Sequence, residues 1–217
     1  MDLVVIKVLA LIFASATLFV VLSARERQSV RLPCPSFPRP PYDEYARMAR
    51  WLVHQNEWGV VSTTSKHLGG TPFGNAVSYA DGPSCESTGR LLFYLTAMDA
   101  TAQDLALSSN ASLTVCEAQL PGACAGIDPE DPTCAKLSIS GNLQPLPEEE
   151  LEEAERLLFT RHPAMRDWPA GHAFQIYELH ITTARLLDWY GGPHDITAAD
   201  YFAAELAGRL GGYRQTA

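Results

Sequence analysis

The stretch Trp58–Gly82, WGVVSTTSKHLGGTPFGNAVSYADG, has the pattern of two short strands joined by a glycine-rich link. A period of two runs along 60–65 and again along 73–79, and this period is typical of strands with one buried face. Asp-Gly-Pro at 81–83 then predicts a sharp turn. The stretch therefore predicts an antiparallel strand pair near the start of the folded domain.

A second stretch, Arg161–Pro193, predicts two more strands near the end of the domain. We expect them over 174–179 and 183–190, with a few turn residues between them and a Gly-Gly-Pro stop after them. Three further strand patterns lie between the two stretches, at 91–96, 111–119 and 135–143. The sequence thus predicts about seven short strands, whose links suit antiparallel pairing.

Helical patterns accompany these strands. Asp43 is expected to cap a first helix that ends at Gly59, and Thr197 to cap the last one. The clearest helix begins at Pro147, and the glutamates of its first turn complement the helix dipole. Another short helix is expected over 99–109. We predict an α+β fold in which the strands close into a barrel with the helices outside, because closure removes exposed strand edges.

Composition and charge narrow the function classes. The 217 residues suffice for one domain, and 47% hydrophobic and 19% charged residues indicate a globular protein. The net charge of −9 repels phosphate backbones, and we therefore expect no nucleic-acid partner. No G-x-G-x-x-G or P-loop follows any predicted strand, which argues against a nucleotide cradle.

The N-terminus predicts entry into the secretory pathway. Residues 3–22 are almost wholly apolar and are followed by small residues, which is the pattern of a signal peptide over 1–24. The alternative is an uncleaved membrane anchor, since a run of this length can span a bilayer. No second apolar run of this length exists, so we expect no membrane association after cleavage.

The remaining boundaries follow from proline content and from the last predicted helix. The proline-rich residues 25–41 are expected to form an extended, mobile tail, because proline at this density blocks helix and sheet. The folded domain is predicted over 42–207, followed by a C-terminal tail over 208–217.

Cysteines and a glycosylation sequon agree with an oxidising, lumenal or extracellular location. Cys124 and Cys134 bracket a turn-rich loop, and a disulfide there would stabilise the fold by about 2–3 kcal/mol; two free thiols are the alternative. Cys34 and Cys85 are candidates for a second pair, and the odd count leaves at least one thiol over. Asn110 starts an N-x-[ST] sequon and is a predicted glycan acceptor.

No catalytic or metal-binding constellation is visible. There is no G-x-S-x-G elbow for a serine nucleophile, and Cys116 is expected to be inert packing in a strand. His162, Asp167 and His172 match no metal-ligand spacing, and Trp168 among them is expected to be an apolar anchor of a crossing loop. We therefore expect a protein that is not an enzyme and has no metal.

Six segments follow one another along residues 41–204: ARMARWLVHQNEWG, GTPFGNAVSYADGP, LLFYLT, the Cys124–Cys134 loop, LFTRHPAMRDWP and LDWYGGP. Together and in this order, they resemble the CREG family, the secreted cellular-repressor glycoproteins. This resemblance implies a split β-barrel of the pyridoxamine-phosphate-oxidase or FMN-binding type. It further implies a disulfide between Cys124 and Cys134, a homodimer, and a secreted, lysosomal or vacuolar location.

The function implied by this resemblance is non-catalytic. A CREG-like protein is expected to act through an unidentified protein partner or receptor, in growth and differentiation or in lysosomal function. The alternatives are an FMN-dependent oxidoreductase on the same fold and a barrel that handles heme.

The resemblance also directs attention to a flavin-phosphate site, which related oxidases build from basic and hydroxyl side chains on neighbouring strands. The vestigial candidates here are Ser62, Thr63, Ser65 and Lys66. The next strand, over 73–79, carries no basic residue, and a phosphate needs charge-assisted donors to be held tightly. We therefore predict that no FMN or other cofactor binds.

Overall fold

The strands and helices largely follow the predicted order, with one long strand in place of two near the end. The computed structural model of the protein describes Cys34 and residues 36–206. The helices are α1 Tyr45–Gln55, α2 Ala100–Leu105, α3 Leu151–Arg161 and α4 Ala198–Ala203. The strands are β1 Trp58–Thr64, β2 Pro72–Ala80, β3 Leu92–Thr96, β4 Asn110–Cys116, β5 Lys136–Pro145, β6 Phe174–Leu187 and β7 His194–Thr197. Short 3₁₀ helices lie at Glu117–Gln119, Ala123–Gly126, Glu148–Glu150, Pro163–Asp167 and Ala170–His172.

One extra strand pairing closes the sheet into a barrel. The seven described strands pair antiparallel in the order β3-β2-β1-β4-β5-β6-β7, and β3 also pairs with β6. Six strands thus form a closed ring, while β7 extends the sheet beyond it along the second half of β6. Closure leaves fewer open edges for pairing with other chains. The predicted antiparallel barrel with helices is confirmed.

Strand β6 corrects the prediction of two strands over 174–179 and 183–190. It runs without interruption for 14 residues because three neighbours share it: β5 along one edge, and β3 and then β7 along the other. A register shift between Ser140 and Gly141 of β5 accommodates the long pairing. Gly141 is needed there, since a Cβ would collide with the carbonyl oxygen of His180. The sequence reading also missed β7.

Apolar side chains from alternate strand positions fill the barrel. The interior cluster includes Val61, Leu113, Leu137 and Ile139, each at most 1% exposed, together with Met48 and Leu52 of α1. A second cluster packs β2, β3 and β6 residues against the buried face of α3. The alternation along β1, β4 and β5 leaves their other face outward.

Both predicted ends of helix α1 were wrong. The helix begins after Glu44 rather than Asp43, and no side chain caps it. It ends at Gln55 because Gly59 already lies in β1, where a Cβ would come within 2.7 Å of Leu113 Cδ1.

The predicted mobile tail over 25–41 needs correction at its C-terminal end. The carbonyl of Phe37 accepts a hydrogen bond from the Trp51 indole N–H at 2.9 Å. The guanidinium of Arg39 donates two hydrogen bonds to the Glu117 carboxylate, at 2.8 and 3.0 Å. Prolines prevented a helix or strand here, but side chains tie the segment to the domain.

Other predicted segments lie outside the described residues. These are the signal peptide at 1–24, most of the proline-rich tail and the C-terminal tail at 208–217. Among the residues that the structure describes, no helix has the length and apolar character needed to cross a membrane.

Candidate functional site

The four predicted flavin-phosphate residues lie on different faces of β1 and of the loop after it. Ser62 is half-buried on the outer face of the barrel, whereas Thr63 is buried on the inner face, because successive side chains of a strand alternate. Ser65 is buried just beyond the strand, and Lys66 is exposed. The four side chains therefore do not converge on one anion.

A buried carboxylate occupies the inner end of β1. Asp104 is 1% exposed, and its Oδ2 accepts a hydrogen bond from Thr63 Oγ1 at 2.7 Å. Its Oδ1 accepts from the backbone N–H of Lys66, also at 2.7 Å. These donors are of the kind that a phosphate needs, and the carboxylate would repel a second anion. The residues at this position do not fit a flavin phosphate.

Ser65 is engaged in closing the loop between β1 and β2. Its hydroxyl lies 2.9 Å from His67 Nδ1 and accepts a hydrogen bond from the Leu68 N–H at 3.2 Å. The loop turns through Gly69 and Gly70, whose φ angles of +65° and +94° favour glycine. The hydroxyl of Ser65 thus has a structural role in this loop.

Sequence reasoning missed Asp104, although it predicted the helix that carries it. Asp99 caps α2 by accepting a hydrogen bond from the Thr101 N–H at 2.6 Å and also binds the Asn75 side-chain amide. These bonds help to fix α2 beside β1 and β2. The predicted helix over 99–109 was the available signal, but periodicity does not tell which strand an acidic side chain will meet.

On the outer face of the barrel, residues of β1, β4, β5 and β6 line a shallow cleft of about 390 Å³, which we call the polar cleft. Hydroxyl and amide side chains dominate its walls, among them Ser62, Thr64, Asn110, Ser112, Ser140 and Asn142. No charged side chain of the described residues lines the polar cleft. It can offer hydrogen bonds to a neutral ligand but has no group to neutralise a phosphate.

Further along the same strands, the outer face becomes more apolar. Trp58 and Val60 of β1 are 46% and 37% exposed, and the partner of Val60 in β4 is the exposed Thr114. Thr114 in turn pairs with Ser138 of β5. We call this region the apolar end of the outer face. Small side chains next to exposed apolar ones suit close contact with another surface.

A buried charged network that the sequence did not reveal joins α1 to the turn after β2. His54 of α1 is 1% exposed, and its Nδ1 lies 2.8 Å from Asp81 Oδ1. Ser87 donates to the other Asp81 oxygen at 2.8 Å, and Arg50 donates to Ser87. The serine thus bonds to the carboxylate and not to the histidine, so this is not the relay of a serine hydrolase.

A second buried charged cluster holds the segment before α1. Asp188, 2% exposed, pairs through Oδ1 with Arg39, which also binds Glu117. Burial raises the pKa of Asp188 to about 6, against the opposing attraction of Arg39, and Glu117 adds to the rise. The Oδ2 atom of Asp188 is buried and has no hydrogen-bond partner among the described residues.

The loop between α3 and β6 contains an aromatic cluster. Trp168, predicted to be an apolar anchor, stacks on Tyr94 at 5.8 Å between ring centroids and also contacts Phe174.

The histidine before this loop makes a backbone contact: His162 Nε2 lies 2.7 Å from the carbonyl oxygen of Tyr79. The described residues include no group of three or more His, Cys, Asp or Glu side chains arranged to hold a metal ion.

Comparison with known proteins places the chain in a family. The model of the family "CREG, beta-barrel" matches residues 40–203. Mouse Protein CREG2 is 39% identical over 163 residues, which are 74% of this chain and 57% of that protein. Human Protein CREG1 is 35% identical over 179 residues, 81% of this chain and 79% of that protein.

The chain belongs to the CREG family. It spans little more than half the length of mouse CREG2 and about four fifths of human CREG1. The resemblance drawn from the sequence segments is confirmed.

Solved structures with low sequence identity share the CREG barrel. A heme binding protein from Mycobacterium smegmatis aligns with a TM-score of 0.61 at 19% identity, covering 76% of this chain and 62% of that one. A Clostridium acetobutylicum protein related to general stress protein 26, of the pyridoxinephosphate oxidase family, aligns at 0.52 and 12% identity. That alignment covers 74% of this chain and 99% of that one. The predicted split-barrel fold class is confirmed.

The cysteines of this CREG chain are arranged as two bonded pairs and one thiol. The structure bonds Cys124 to Cys134, with Cα atoms 5.3 Å apart, and Cys34 to Cys85, with Cα atoms 4.7 Å apart. Both separations lie in the usual range for disulfides. Cys116 is the unbonded cysteine among the described residues and is half-buried at the end of β4.

Proposed function

We propose that this CREG-family chain is a non-catalytic, glycosylated homodimer of the secretory pathway that acts by binding another protein. The observation that carries the non-catalytic part is the carboxylate of Asp104, which takes the hydrogen bonds of Thr63 and Lys66 at the inner end of β1. No basic residue of β2 offsets its charge. Because a flavin phosphate does not fit beside Asp104, the barrel serves as a scaffold whose outer surface binds another protein.

Secretory location is supported by three independent features of the sequence and structure. Residues 3–22 are almost wholly apolar, Asn110 begins a sequon, and two cysteine pairs lie at disulfide distance. An extracellular and a lysosomal or vacuolar destination both follow from this route. The acidic net charge of −9 favours a protein partner over nucleic acid.

The homodimer is supported by the apolar end of the outer face. Trp58 and Val60 are exposed there beside the small side chains of Thr114 and Ser138, so a second copy can approach closely. Replacing Val60 by lysine should convert dimer to monomer in light scattering after gel filtration. Leu107→Lys is the control, because Leu107 is 68% exposed after α2 and lies outside the sheet.

Absorbance spectroscopy tests the non-catalytic proposal. The purified secreted chain is incubated with FMN or with heme, desalted, and its visible spectrum recorded. We expect only protein absorbance to remain. A flavin band that survives desalting would overturn the proposal in favour of an FMN-dependent oxidoreductase, and a retained Soret band would favour heme handling.

A further inference from the structure

We propose that the polar cleft seats the first N-acetylglucosamine of a glycan on Asn110, so that this sugar becomes part of the barrel's outer face. The inference rests on the proposed secretory function, since the glycan must first be attached. It adds a binding site for a neutral sugar, at the opposite end of the outer face from the apolar end.

The attachment site lies at the cleft itself. Asn110 and Ser112, the two side chains that define the sequon, are the first and third residues of β4. Residues two apart on a strand project from the same face, and both line the polar cleft. A sugar on Asn110 therefore starts at the rim of a preformed concavity.

The Asn110 amide is held in a way that is compatible with glycosylation. Its Oδ1 accepts a hydrogen bond from Asn142 Nδ2 at 3.1 Å, and the same Asn142 nitrogen donates to Ser109 Oγ at 3.1 Å. Glycosylation modifies Nδ2 of Asn110, for which no hydrogen-bond partner is found among the described residues. The bond to Asn142 can thus persist in the glycoprotein and limit the directions in which the sugar leaves the strand.

The chemistry of the walls matches a neutral sugar better than other ligands. Ser62, Thr64, Ser140 and Asn142 supply hydroxyl and amide groups that can pair with sugar hydroxyls and with an acetamido group. The lining of this cleft contains no cation for an anionic ligand and no aromatic ring for a flat apolar one. At about 390 Å³ the cleft is of the size that small ligands occupy.

The decisive experiment compares three forms of the secreted chain. Glycopeptide mass spectrometry first establishes whether Asn110 is occupied. The intact glycoprotein, a form trimmed by an endoglycosidase to one N-acetylglucosamine, and a form deglycosylated by an amidase are then melted. We expect the first two to melt together and the third about 2–4 °C lower. Equal melting temperatures of the trimmed and deglycosylated forms would contradict the proposal that the polar cleft binds the first sugar.

The amidase converts Asn110 to aspartate as well as removing the sugar, so a second test is needed. A matched pair of variants isolates the contact between the sugar and Ser140. Ser140→Ala, in the cleft, should lower the melting temperature of the trimmed form but not that of the Asn110→Gln chain. Ser138→Ala, on the same face of β5 but outside the cleft lining, should change both equally. Equal effects of Ser140→Ala on both chains would contradict the proposal.

The two levels of inference fail in different ways. An unoccupied Asn110 in the secreted chain overturns the glycan part of the proposed function and the seat together. An occupied Asn110 without coupling to Ser140 overturns the seat alone and leaves secretion and glycosylation in place.

Discussion

Ser62 and Thr63 are neighbours on one strand, carry the same functional group, and have opposite roles. The hydroxyl of Thr63 lies inside the barrel and is bound to the buried carboxylate of Asp104. That of Ser62 lies outside, on the polar cleft that also contains the sequon residue Asn110. The comparison shows that a hydroxyl-rich strand indicates a phosphate site only if its hydroxyls lie on the same face of the strand. Only one face is free to meet a ligand.

The largest effect should come from removing the inner carboxylate. Asp104→Ala leaves the Thr63 hydroxyl and the Lys66 N–H without their acceptor in a buried place, which should lower the unfolding free energy by about 3 kcal/mol. Urea denaturation measures it. A loss under about 1 kcal/mol would mean that the inner end is solvated, and the contrast between the two faces would disappear.

The buried carboxylate of Asp188, just after β6, should make the stability of the protein depend on pH. Both oxygens of Asp104 accept hydrogen bonds, whereas one oxygen of Asp188 has no described partner. The pKa of Asp188 is raised to about 6 in the folded state, above its ordinary unfolded value near 4. The folded protein therefore binds more protons between these pH values, and stability from this group falls as pH rises through 6.

The corresponding variant is Asp188→Asn, measured by denaturant unfolding from pH 4 to pH 7. The wild-type chain should lose up to about 2–3 kcal/mol relative to the variant over this interval, because only the wild type must ionise a buried carboxyl. Parallel pH profiles for the two chains would show that Asp188 titrates normally. Greater stability of the folded chain at low pH fits a lysosomal or vacuolar destination, which is one of the two proposed above.

The smallest effects give the most closely matched test. Thr63→Val keeps the shape of the side chain but removes the donor to Asp104, and should cost about 1–2 kcal/mol. Thr64→Val makes the same chemical change one residue later on the exposed outer face and should alter stability by less than about 0.5 kcal/mol. Equal losses in thermal unfolding would mean that the two faces are not distinct.

Much of the barrel was predictable because strands and caps leave local signals. The alternation over 60–65 and 73–79 found β1 and β2, and Thr197 was correctly predicted as the cap of α4, where it accepts from the Asp200 N–H at 3.1 Å. The split at 180–182 was wrong because the reading took a weak point in the pattern for a turn. Pairing with β5 continues across this point with a register shift at Thr182, so β6 remains one strand.

The sequence by itself determined the first strand pair, the family resemblance, the cysteine spacing and the sequon, since each depends on residues close together in the chain or on their order. Only the tertiary structure decided what each polar residue meets. It placed Asp104 against Thr63, His54 against Asp81, and Arg39 against Asp188. These pairs lie 41, 27 and 149 residues apart, and the packing of helices and loops against the barrel brings together side chains that no local periodicity can relate.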